Sequence, residues 1–183
     1  MRIVGGEFSS RKIITSSGRS TRPTLDKVRE AVFSSLGGLF DGGTVLDLYA
    51  GSGAVGLEAL SRGYDRAIFA DISKDAIRSI RENIHSLNVE ECTEVFAMKD
   101  MKVLALLSQR GMKLDLVYLD PPYALQHNQE VLTFLDEHHM LNSGARVVIE
   151  SLKEETYDVD YPGLHPYKEK VYGISKITYY RAD

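Results

Sequence analysis

Three places in the chain hold residue types at spacings that could do chemistry. The first is Asp120-Pro121-Pro122-Tyr123, directly after the apolar run Leu114 to Leu119. Neither proline has a backbone donor. The turn therefore offers acceptors: the Asp120 carboxylate and a proline carbonyl, with that of Pro122 favoured. Two acceptors converging on one point suit a planar amine with two hydrogens, the form of the exocyclic amines of guanine, adenine and cytosine. Tyr123 adds an aromatic face on which a base could stack. The competing account of the same residues is a rigid strand-end turn with a core tyrosine.

The second place is Asp47 to Gly56, read Asp-Leu-Tyr-Ala-Gly-Ser-Gly-Ala-Val-Gly. An apolar run precedes it and a helical pattern follows, which is how an α/β fold builds a nucleotide-shaped pocket. Gly51, Gly53 and Gly56 allow tight turning and close approach, with Ser52 between the first two. Asp47 sits at the carboxyl end of the expected strand, four residues before Gly51. A carboxylate there is awkward for a pyrophosphate but suits a cationic amino-acid headgroup. S-adenosylmethionine carries an ammonium, a sulfonium and no phosphate. The third place is Asp71, twenty residues after Gly51 and at the end of Ala67-Ile68-Phe69-Ala70, followed by Ile72. An acid there can accept hydrogen bonds from both ribose hydroxyls. Plain strand-end roles for Asp47 and Asp71 are the alternative.

Combined, these residues describe a methyl transfer. Asp120 and Pro122 would orient an amine nitrogen and stabilise its growing positive charge, so catalysis is mostly placement and electrostatics. The proton could leave to solvent or through Asp120. The chemistry requires no metal. A base inside a helix must leave its stack to reach such a pocket, a cost that a loop base largely avoids.

The elements that must position these groups alternate along the chain. Strands are expected near 44–49, 66–71, 93–97, 114–119 and 145–150, and helices near 53–62, 74–87, 101–109 and 129–138, with Ser73 as a cap. The nearly unbroken apolar character of 114–119, broken only at Asp115, fits a central parallel strand. Residues 152–166 read as loop, and 169–172 with 174–180 as two further strands. The expected fold is α/β and Rossmann-like: seven strands, mostly parallel, helices on both faces, and an antiparallel edge hairpin at the carboxyl end.

A chain of 183 residues suffices for one well-buried α/β domain. A single cysteine, Cys92, excludes an intrachain disulfide. No signal-peptide or membrane-spanning pattern is present, so the chain reads as cytoplasmic. A monomer is the default. The net charge of -4 hides an asymmetry, because residues 1–29 carry seven basic groups and only two acids. Such a local basic surface can hold a phosphate backbone, or simply be solvated. Residues 1–37 are expected to form a substrate-facing arm, a hairpin and then a helix over 25–36; residues 38–183 form the catalytic domain. Lys27 and Arg29 fall off that helix's apolar stripe, facing solvent or a substrate phosphate.

The ordered set of motifs resembles the RsmD family of bacterial 16S ribosomal RNA guanine-N2 methyltransferases over nearly the whole chain. The resemblance rests on Met1-Arg2-Ile3-Val4-Gly5-Gly6, the Arg11-Lys12 pair and Thr21-Arg22-Pro23-Thr24 with the helix through Lys27. It continues through Leu46 to Gly53, Gly56 to Gly63, Leu119 to Tyr123 and the Tyr172-Gly173 region. It implies S-adenosylmethionine as cofactor and a guanine amine of 16S rRNA as target, in a 30S particle or assembly intermediate. It also implies that the arm approaches RNA through Arg11, Lys12, Arg22, Pro23, Thr24 and Lys27. Asp100 matches the family position near the cofactor adenine. From its position after the first strand, Tyr49 could pack near the cofactor or be simple core. Lys99 and Ser34-Ser35 depart from the family pattern. Other readings of the same acceptors are a methyltransferase acting on a DNA base or a protein glutamine, or an inactive RNA-binding module. His127, four residues past Tyr123, could line the substrate mouth or face solvent.

Overall fold

Leu114–Leu119 forms β4, and its neighbours explain why it is almost wholly apolar. In the computed structural model it lies between β1 (Thr44–Asp47) and β5 (Leu141–Leu152), parallel to both. The structure describes residues 1–15, 23–122, 127–157 and 159–183. Outward from β1 come β2 (Arg66–Ala70) and β3 (Thr93–Phe96), both parallel. Outward from β5 come β7 (Ser175–Ala182) and then β6 (Leu164–Tyr172), both antiparallel to their neighbours. The seven-stranded order is β3-β2-β1-β4-β5-β7-β6. This is the expected Rossmann-like sheet with its carboxyl-terminal hairpin.

Side-chain alternation divides the sheet into two buried faces. Leu46, Val117, Leu119, Val147 and Ile149 pack with α4 (Asp100–Gln109) and α5 (Asn128–Glu137). Val45, Leu116, Tyr118 and Val148 face the other way, against Val32 and Phe33 of α1 (Pro23–Leu36) and Ala59 of α2 (Ala54–Ser61). On that same side Phe69 meets α2 and α3 (Lys74–Leu87). Gly56 is required there, because a Cβ would stand 2.4 Å from the Phe69 ring. Ser73 caps α3, its hydroxyl accepting from the Ala76 amide at 3.4 Å.

The amino-terminal segment is stitched into this frame. Arg2 and Lys12 form an antiparallel bridge, and Ile3 and Ile13 are buried in the cluster with α2 and α3. Asn83 of α3, 1% exposed, exchanges hydrogen bonds with the backbone of Ile14 and also donates to the Ser52 carbonyl at 2.9 Å. The Glu58 carboxylate of α2 receives the amides of Val4 and Gly5, each at 2.9 Å, and the Nε atoms of Arg29 and Arg62.

Three local expectations change. Arg29 is 5% exposed rather than solvent-facing, because its position on α1 shares a side with Phe33 and its charge meets Glu58. β5 begins at Leu141, ahead of the expected 145, since the polar Asn142-Ser143-Gly144 stretch forms an irregularity in the ladder instead of a turn. β6 begins at Leu164 and contains Pro166, which a sheet edge tolerates; the register shifts between Pro166 and Lys168. Among the described residues, no helix is long and apolar enough to cross a membrane.

Candidate active site

The carboxyl ends of β1, β2, β4 and β5 open into one cleft of about 560 Å3, within the range of small-ligand sites. Asp47, Tyr49, Gly51, Ser52, Asp71, Ile72, Asp100, Asp120 and Pro122 all line it. They come from four separate segments, and the sheet order explains their convergence. Parallel strands deliver their last residues to one edge, and ligands bind there.

Gly51 opens the turn after β1 with φ +57°, and a Cβ there would meet nothing within 4 Å. The Asp71 carboxylate fixes this turn, Oδ2 accepting from the Gly51 amide and Oδ1 from the Ser73 amide, both at 2.9 Å. The carboxylate is partly exposed and keeps lone pairs that can accept further hydrogen bonds. Gly53 and Gly56 stand behind the cleft and serve its architecture: Gly53 lies against Phe69 and Ile80, and the Gly56 amide donates to Asp47 Oδ2 at 3.1 Å.

Asp47 is 2% exposed. Burial, opposed by the Gly56 N–H and reinforced by the charge of Asp71, pushes its pKa up from 3.8 to about 7. A carboxylate so desolvated is stabilised by a cation placed in the cleft. With the open ground at Gly51 and the acceptors of Asp71, the donor set fits an ammonium-bearing nucleoside such as S-adenosylmethionine.

Asp100 is the first residue of α4, and its Oδ1 accepts from the adjacent Met101 amide at 2.7 Å. Its Oδ2 binds the Tyr49 hydroxyl and His127 Nε2, both at 2.6 Å. Burial opposes its charge, yet the bonds from Tyr49, Met101 and His127 outweigh that and lower its pKa. Tyr49 is shifted upward, by burial first and then by Asp100. His127 thus lines the cleft, tying the start of α5 to α4.

Asp120 is exposed one residue past β4, with Pro121 buried and Pro122 exposed beside it. Tyr123 and Arg22 lie outside the described residues, and so do the side chains of Pro23 and Thr24, although both residues belong to α1. Arg11, Lys12 and Lys27 are exposed and do not line the cleft. Arg11 donates to the Ser86 carbonyl at 2.6 Å, near the end of α3.

Two further cleft residues escaped the sequence reading. Tyr118 of β4 donates its hydroxyl to Glu150 Oε2 of β5 at 3.1 Å. Glu150 follows the apolar run Val147 to Ile149 at the cleft edge of β5, and that is the signal that could have found it.

Fold and site together define a Rossmann-like methyltransferase of the S-adenosylmethionine-dependent class. The chain matches, over residues 1–181, the family described as conserved hypothetical protein 95. It belongs to that family, the RsmD family of ribosomal RNA small subunit methyltransferases. It is 35% identical to the YlbH protein of Bacillus subtilis, covering 99% of this chain and 98% of the relative. It is 30% identical to ribosomal RNA small subunit methyltransferase D of Escherichia coli, over 94% of this chain and 85% of the relative. A solved conserved hypothetical protein of Streptococcus pyogenes superposes with a TM-score of 0.80 at 35% identity, covering 85% of this chain and 95% of that one.

Proposed function

We propose that this chain transfers a methyl group from S-adenosylmethionine to the exocyclic N2 amine of a guanine in 16S rRNA, within a 30S particle or an assembly intermediate. The observation that carries the reading is the convergence of a buried carboxyl, Asp47, and a strand-end acceptor, Asp120, in one cleft of a chain belonging to this family. The name of the Escherichia coli relative supplies the small-subunit RNA.

When bound, the cofactor supplies an electrophilic methyl group on a sulfonium. Asp47 holds the ammonium end, and the turn Gly51-Ser52-Gly53, closed onto α2 at Gly56, lets that end approach the backbone. Asp71 receives the ribose hydroxyls, with Ile72 beside them. Asp100 and Tyr49 bound the adenine end. Asp120 and the Pro122 carbonyl accept the two amine hydrogens, and Tyr123 stacks on the base. Residues 1–37 act as the substrate-facing arm of the 38–183 catalytic domain, with Arg11, Lys12, Arg22, Pro23, Thr24 and Lys27 toward RNA.

Tritiated-methyl transfer onto 30S particles from a strain lacking this gene, followed by mapping of the modified base, tests the proposal. Label in a guanine of 16S rRNA is the expected outcome. Label confined to protein or to DNA, or none at all, refutes it.

A further inference from the structure

Four polar groups project from the same face of the sheet at its carboxyl edge. Asp47 pairs in register with Tyr118, Tyr118 with Val148, and Leu119 with Ile149. Carried one residue on, that register sets Asp120 beside Glu150, on strands about 5 Å apart. Alternation puts Asp47, Tyr118, Asp120 and Glu150 on the side that faces α1 and α2. All four line the cleft.

Glu150 is the enclosed member of the Asp120–Glu150 pair. Its Oε2 accepts from the Tyr118 hydroxyl at 3.1 Å, and Oε1 has no bond to another described side chain. Among the described residues, charged groups around it are few. Asp47 and Asp120 stand near the same tyrosine, since both raise its pKa. Arg29 reaches the cleft from α1, but its guanidinium is taken by Glu58, Asp26 and the Arg2 carbonyl. On β7, Ile177 is the register partner of Glu150, while Lys176 pairs with Ser151 on the opposite face.

We infer that Glu150 is a further catalytic residue, the base that takes the proton released by the amine while Asp120 holds the amine in place. The inference rests on the methyl-transfer reading above. In the step, a nitrogen–carbon bond forms with the amine's electron pair, and the carbon–sulfur bond breaks with its pair left on sulfur. The N–H bond then breaks, its pair returning to nitrogen and its proton passing to a Glu150 carboxylate oxygen, and from there to water. Burial raises the pKa of Glu150, and donation from Tyr118 opposes that rise. A carboxylate set above its ordinary range holds a proton better at working pH, which general-base action requires. Tyr118 is then a positioning residue, fixing one oxygen so that the other meets the amine.

Glu150→Gln and Tyr118→Phe test this by single-turnover methylation of 30S substrate across pH, with carbon-13 titration of the glutamate carboxyls in cofactor-free protein. Glu150→Gln should fold, bind cofactor as the wild type does, lose about 10²-fold or more in single-turnover rate, and lose the ascending limb of the pH profile. In Tyr118→Phe the Glu150 carboxyl signal, and with it that limb, should move to higher pH. Should Glu150→Gln not fold, the Tyr118→Phe shift alone decides. A Glu150→Gln protein with wild-type rate and profile, or a Glu150 signal unmoved in Tyr118→Phe, overturns the inference. A wild-type protein that methylates no guanine amine refutes the functional reading itself, which separates the two failures.

Discussion

Arg29 Nε donates to Glu58 Oε2 at 3.1 Å, and both side chains are buried, at 5% and 0% exposure. The same carboxylate holds Arg62 and the amides of Val4 and Gly5. One anion thus fastens α1, α2 and the amino-terminal arm. Glu58→Ala would leave two guanidinium groups without their buried partner, a loss on the order of 3–5 kcal/mol. Denaturant melts should register that loss, and limited proteolysis should show earlier cleavage within residues 1–15. A variant as stable as wild type would show that water replaces the carboxylate readily.

The raised pKa of Asp47 ties cofactor binding to pH. Its carboxyl is neutral below about 7 in the ligand-free protein. Pairing with an ammonium requires the charged form, so binding releases a proton there. Affinity should fall by up to about tenfold per pH unit below 7 and level off above it. The sign for folding is the reverse. The folded carboxyl holds its proton more tightly than the unfolded one, so ligand-free stability declines as pH rises from 3.8 through about 7. Calorimetry in two buffers of different ionisation heat measures the proton released. No proton release at pH 6 would exclude this role for Asp47.

Asp71 has both a structural and a binding part. It fixes the amides of Gly51 and Ser73, so Asp71→Asn keeps one carbonyl acceptor while its amide opposes the other donor. Asp71→Ala should weaken S-adenosylhomocysteine binding more than Asp71→Asn does, with nicotinamide cofactors ignored by all forms. Calorimetry showing unchanged affinity in Asp71→Ala would remove the ribose assignment.

What the sequence revealed of this site depended on where strands visibly stop. Asp47, Asp71 and Asp120 each close an apolar run and precede a glycine, a helix cap or a proline, so their strand ends are legible. Glu150 is followed by Ser151 and Leu152, which continue β5, and its place at the cleft edge emerges only from the β4 register. Arg29 looked solvated because the partner that permits its burial lies 29 residues away, on α2. His127 read first as a solvent-facing loop residue, with the substrate mouth as the alternative, until α4 brought Asp100 to it. Local pattern found the elements; long-range ion pairs and register decided which polar groups met.

The arm offers a graded test of RNA contact. Lys12 and Lys27 are exposed, whereas Arg11 is partly committed to the Ser86 carbonyl near the α3 carboxyl end. Replacing Lys12 and Lys27 with alanine should weaken 30S binding and reduce the salt slope by about 1 per lost phosphate contact, with no change in melting. Arg11→Ala should additionally lower stability slightly. Filter binding at several salt concentrations reads this. An unchanged slope in the double lysine variant would place the RNA on another surface.

Asp120→Asn separates chemistry from architecture at the proline turn. Asp120 is exposed past the end of a buried strand, so its replacement removes little packing. Asparagine keeps one carbonyl acceptor but loses the charge, and its amide can present donors where the target amine also donates. Fold and cofactor affinity should therefore survive, while single-turnover methyl transfer falls on the order of 10²-fold or more, the scale of a lost preorganised electrostatic contact. Tyr123→Phe should be mild because the ring face remains, and Tyr123→Ala severe. A purely architectural Asp120 predicts the opposite pattern: stability and cofactor affinity would drop together, and residual activity would follow the folded fraction. Single-turnover rates at saturating cofactor and 30S substrate, measured beside melting curves, distinguish the two. Wild-type chemistry in a well-folded Asp120→Asn protein would take the amine clamp away from Asp120 and leave Glu150 as the sole carboxylate of its register pair able to meet the substrate.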